Sequence, residues 1–168
     1  MGSVSAVVEQ LKYDFGCFEL DHFLDHIQRL RKRQLILMPA VLKHEIVAIW
    51  VYSDKADYIF FKSTDHVIHQ THNILHEIAH MMLDHTRIPL EDVLTSELFN
   101  QLFSGQITGR PRRITREPSN DIEELEAEEF VFVIQEQVMA ANRIDQLLDK
   151  ASSISALNNY VEGMGFDV

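Results

Sequence analysis

Between residues 18 and 84 the spacing of apolar residues changes period twice, and this restricts the fold more than any other feature of the chain. In "FELDHFLDHIQRLRKRQ", Phe18, Leu20, Phe23, Leu24, Ile27 and Leu30 recur at helical intervals. The spacing predicts a helix over about residues 19–33, and the basic residues Arg29, Arg31, Lys32 and Arg33 suit its C-terminal end. Three short runs follow: "QLILMP", stopped by Pro39, then "EIVAIWVYS", then "ADYIFFKS" after the turn-like "SDKA". Their β-branched and aromatic content predicts three strands, paired antiparallel. From His66 to Asp84 the period is helical again, through Val67, Ile68, Ile74, Leu75, Ile78, Ala79, Met82 and Leu83. The expected fold is α+β, a mostly helical domain with a small three-stranded antiparallel sheet. A length of 168 residues suggests one domain with a real core.

Downstream, "PLEDVLTSELFNQLF" reads as a helix, and "SGQITGRPRRITREPSN" as a loop punctuated by Gly105, Gly109, Pro111 and Pro118. "SNDIEELEAEEFVFVIQEQVMAANRIDQLLDK" is strongly helical, with Ser119, Asn120 or Asp121 as its cap. A break is expected near Ala141 and Asn142, then a last short helix ending at Gly163 and Gly165.

The formal net charge of -11 disfavours non-specific attachment to nucleic acid or an anionic membrane, so direct DNA binding is not expected. No apolar run approaches a membrane span, and the N-terminal stretch lacks the pattern of a signal peptide. The single cysteine, Cys17, permits no internal disulfide and is expected as a small buried hydrophobe. These features together suit a cytoplasmic protein.

The chemistry concentrates in "HNILHEIAHMMLDH", which contains H-E-x-x-H as His76, Glu77 and His80. Residues four apart share one helix face, so two imidazoles can meet one metal ion. Glu77 stands one step round the helix, where it can take a proton from water that zinc has acidified to a pKa near 7. A third protein ligand is needed. The acids of "IEELEAEEF" offer it, Glu124, Glu126 and Glu128 among them. His69 and His72 repeat at helical spacing with the motif and could hold substrate or an oxyanion. His85 reads as a helix C-terminal residue that complements the dipole. Tyr58 and Tyr160 are further candidate oxyanion donors. His22 and His26, four apart with no third ligand nearby, read as surface or core histidines.

"DYIFFKS", "HQTHNILHEIAHMMLDH" and "EELEAEEFVFVI" together resemble the ImmA/IrrE family of gluzincin-like bacterial metallopeptidases. In that family an aromatic strand precedes H-E-x-x-H, and a later helix carries an E-x-E-A-[DN]-x-F-A-like stretch. The likeness covers roughly residues 18 to 140 and is to short, single-domain members. It implies a zincin-like domain with Zn2+ held by His76, His80 and Glu124. Glu77 would be the general base, and Glu128 would back a metal-bound histidine. Glu128 is longer than the Asp or Asn usual there, and Val131 replaces a small residue; Glu126 stands in reserve as the ligand. The resemblance further implies cleavage of a helix-turn-helix transcriptional repressor. The alternative is a metal-containing module that docks to a transcription factor without cutting it, as a toxin–antitoxin-like or phage regulator would.

The loop carries Arg110, Arg112, Arg113 and Arg116 between the motif and the Glu124 helix. Its Gly-Arg-Pro resembles an AT-hook core, but a single copy in an acidic chain is expected to be a solvated loop. Its place in the chain also suits a gate over the cleft or a contact with an acidic partner.

Overall fold

The computed structural model describes residues 3–43, 46–94, 99, 100, 103 and 121–163, with side chains for all of these except 93, 121 and 145–163. The loop arginines therefore lie outside the described residues, as do the Ser119 and Asn120 caps and the Tyr160 side chain.

The N-terminal stretch forms an amphipathic helix, α1 (Val4–Leu11). Ser3 caps it, its Oγ accepting from the Ala6 N–H at 3.3 Å. Val4, Val8 and Leu11 recur on one face and are buried. A 3-10 turn (Phe15–Cys17) leads to α2 (Leu20–Arg31), which buries Phe23, Leu24 and Ile27. Both α1 and α2 end on a lysine in the left-handed region, Lys12 at φ 50° and Lys32 at φ 53°.

Cys17 is exposed, contrary to the buried position expected of it. The turn sends its flanking aromatics Phe15 and Phe18 against the core instead. His22 and His26 are structural: His22 Nδ1 meets the Tyr13 hydroxyl at 3.0 Å, and His26 Nε2 donates to the Leu11 carbonyl at 2.7 Å.

The sheet comprises β1 (Gln34–Ala40), β2 (Ala48–Tyr52), β3 (Ala56–Lys62) and the two-residue β4 (Ile88–Pro89), in the order β1-β3-β2-β4. It is four-stranded and mixed, not three-stranded and antiparallel. The tight connection after β2 makes β2 and β3 an antiparallel hairpin, with the Ser53 Oγ accepting from Lys55 and Ala56 N–H groups. β3 then enters between β1 and β2 and runs parallel to β1. β4 adds to the far side of β2, also in parallel. Apolar periodicity reports that strands exist; it carries no information on which lie side by side.

β1 also runs through Pro39 to Ala40. It lies at the edge of the sheet, where a residue without an N–H can face away from the ladder.

Alternate residues of the sheet serve two cores. Trp50 and Ile59 face the main one, with α1, α2, α3 (Val67–Met82) and α5 (Asp121–Gly163). Ile49 and Val51 face a smaller one with Leu42 and Phe103. This explains why β2 reads as a continuous apolar run. Between the sheet and α5, the one-turn helix α4 (Leu90–Val93) follows β4 directly. α5 continues through Ala141 and Asn142 to Gly163, so the expected break and separate last helix are replaced by one helix of 43 residues.

Asp57, 2% exposed, ties the layers together. Its Oδ2 accepts from Arg33 Nε at 2.8 Å and from Arg31 at 3.5 Å, and its Oδ1 from the Trp50 indole at 3.2 Å. Arg31 also donates to the Met81 carbonyl at 2.7 Å, and Arg33 to the Ser53 and Ala56 carbonyls. One carboxylate thus joins the end of α2, the start of β1, β2, β3 and the end of α3. Asp57→Ala takes the carboxylate from two guanidinium groups, which keep their backbone carbonyls, and removes the acceptor of the Trp50 indole N–H; it is expected to cost about 3 kcal/mol in urea unfolding at neutral pH. A loss below about 1 kcal/mol would show that the network behaves like a surface ion pair.

Candidate metal centre

α3 presents the H-E-x-x-H residues on its buried side. Ile74, Leu75, Ile78, Ala79 and Met81 fill the core, and Glu77 and His80 are drawn in with them, 7% and 6% exposed. α5 brings the acids. Its buried stripe is Ala127, Phe130, Val131 and Ile134, spaced i, i+3, i+4, i+7. Glu124 lies three residues before Ala127 and seven before Val131, so it continues the stripe toward α3.

There the three candidate ligands meet. His76 Nε2 and His80 Nε2 are 3.0 Å apart. Glu124 Oε2 is 3.2 Å from His76 Nε2, and Oε1 is 3.8 Å from His80 Nε2. Among the described residues, His76, His80 and Glu124 form the group that could hold a metal ion.

The spacing of the three groups would accommodate a metal ion. Zinc bonds of about 2.0–2.1 Å at tetrahedral angles place ligand atoms about 3.3 Å apart. The donor chemistry points the same way. Glu128 Oε1 lies 2.9 Å from His76 Nδ1. A carboxylate only accepts, so Nδ1 carries the proton and the Nε2 of neutral His76 is a lone pair. That lone pair faces the Glu124 carboxylate and the His80 ring. Acceptors crowded this closely repel one another unless a cation or a proton lies between them.

Glu77 is anchored to the sheet. Its Oε2 accepts the Trp50 backbone N–H at 2.7 Å. Val47 and Ser53, odd-numbered like Val51, direct backbone groups to β3. Trp50 is even-numbered, so its N–H points out of the β2–β3 pair, toward α3. Glu77 is thereby held in a fixed orientation one residue from the candidate ligand His76.

The other predicted residues fall at different removes. Glu128 also reaches His72 Nε2, at 3.5 Å. His69 is exposed and stands outside the group. Tyr58 stacks on Phe60 at 20° between the ring planes, beside the smaller core. Glu126, the reserve ligand, points elsewhere: its Oε2 lies 3.1 Å from His85 Nε2.

His85 follows the helix, since α3 ends at Met82 with Leu83 as its cap. Asp84 takes the left-handed conformation, φ 55°. The His85 N–H then bonds back to the His80 carbonyl at 2.9 Å. This is the six-to-one bond of a Schellman turn, which sets the second residue after the cap against the third residue from the helix end. It lays the His85 ring on His80, with Nδ1 to Nδ1 at 3.0 Å. Glu123 pins the next residue, accepting from Thr86 Oγ1 at 3.3 Å.

No family model, curated protein or solved structure matches this chain. The class that the fold and site define is an α+β protein with a candidate His/His/Glu metal centre. Elemental analysis of the purified chain is expected to give one bound metal ion per molecule. His80→Ala and Glu124→Ala should retain less than a tenth of it after dialysis. Equal metal in wild type and both variants would place the ion elsewhere.

Proposed function

We propose that this protein is a zinc-dependent metallopeptidase of ImmA/IrrE type, and that its substrate is a helix-turn-helix transcriptional repressor. The observation that carries the reading is the convergence of His76, His80 and Glu124, together with Glu77, which lies between the two histidines in sequence and is held by the Trp50 N–H. A three-ligand set leaves a coordination position for a reactant, whereas a purely structural zinc is closed by four. Zinc, when bound, supplies a Lewis acid and brings water to a pKa near 7.

The chain's own residues do the rest. His76 and His80 present ring nitrogens from successive turns of one helix, and Glu124 closes the set with a negative charge from another. Glu77 takes a proton from the attacking water and returns it to the leaving amine. The bond from Trp50 orients its carboxylate in advance, so little reorganisation is needed when the proton moves. The repressor as substrate rests on the resemblance of the motifs to that family.

Glu77→Gln keeps the shape and the acceptor for the Trp50 N–H but removes the base. It is expected to leave zinc content and melting temperature unchanged while cleavage of a helix-turn-helix repressor that the wild type cuts falls by at least about 100-fold. Undiminished cleavage would rule out Glu77 as the base. An uncut repressor that co-purifies with the zinc-loaded wild type would favour the docking module instead.

A further inference from the structure

We propose that His85 and Glu126 are positioning residues of the metal centre, which hold His80 in the one tautomer able to bind metal through Nε2. The inference rests on the metal-centre reading above and adds to it a second support, independent of Glu128.

The argument follows the protons. The His85 side chain is 2% exposed, and both of its ring nitrogens are spent on protein partners. Glu126 Oε2, at 3.1 Å from Nε2, can only accept, so the His85 Nε2 carries a proton. Neutral His85 therefore has its lone pair on Nδ1. The Nδ1–Nδ1 contact of 3.0 Å admits one proton, and it must come from His80. With its proton on Nδ1, His80 turns the lone pair of Nε2 toward His76 and Glu124. In the other tautomer an N–H would project into the group and bar a cation.

The two histidine ligands are thus backed by different carboxylates: His76 directly by Glu128, and His80 by Glu126 through the interposed His85 ring. A buried histidine placed there only for packing would have no need of this order of donors. The backbone favours the same function, because the left-handed residue Asp84 and the His85-to-His80 backbone bond hold the two residues together independently of their side chains.

Zinc affinity of the full chain, measured by competition with a chelator, tests the proposal together with histidine 15N spectra of the metal-free protein. His85→Phe keeps a buried ring but offers no acceptor to His80; His85→Gln restores one through its amide oxygen. Glu126→Ala acts from a side chain one-third exposed, so it tests the idea even where His85→Phe does not fold. His85→Phe and Glu126→Ala are each expected to weaken zinc binding about 10- to 100-fold, and His85→Gln to recover most of that loss. The His80 resonances should report the Nδ1–H form in wild type and a mixture of tautomers in His85→Phe and Glu126→Ala. A wild type that binds zinc, with variants that match it in affinity and tautomer, would overturn the positioning role and leave the centre standing. A wild type that binds no zinc would overturn the centre, and this inference with it.

Discussion

Ala127, Phe130, Val131 and Ile134 turn one stripe of α5 into the main core, and burying that stripe sets where the acids of the same helix point. Glu124 continues the stripe and meets His76 and His80. Glu128, one turn further on, reaches the outer nitrogen of His76. Glu126 lies four residues before Phe130 and reaches His85. Glu124, Glu126 and Glu128 reach different ring nitrogens because each leaves the helix at a different angle. Ala79 and Ala127, both wholly buried, leave room for α3 and α5 to approach.

The sheet contributes orientation. Asp57 holds the Trp50 indole, and the Trp50 backbone holds Glu77. The carboxylate proposed as the base is therefore fixed by the strand beside it, while the candidate ligands are fixed by contact between helices. Buried polar groups of this kind specify one arrangement because each alternative leaves a donor or acceptor without a partner. The arginines on Asp57 bind the same strands to the ends of α2 and α3, so Glu77 and the helix that carries it share one support.

Much of this was legible in the chain. The helical frame of His76, Glu77 and His80 followed from period alone, and the acid run "EELEAEEF" announced a ligand without saying which. The contact of His85 with His80 is less legible, although the sequence carries a signal for it: Asp84 can adopt the left-handed conformation, and His80 and His85 stand at the spacing that a Schellman turn brings together. Residues three and four apart are neighbours on a continuous helix, whereas residues five apart meet only where the helix ends in such a turn. Helix α1 is faintly marked in the sequence, since only Val4, Val8 and Leu11 share its buried face over two turns.

The sequence by itself determined the α+β class, the element types between residues 18 and 84, and the presence of two imidazoles and a carboxylate on one helix. Those are local facts, set by side-chain spacing along the backbone. Only the tertiary structure decided that β3 enters between β1 and β2, that Glu124 rather than Glu126 joins the two histidines, and that Glu77 leans on Trp50. Each depends on contacts between residues far apart in the chain, and those are chosen by how the buried faces fit, which no local period encodes.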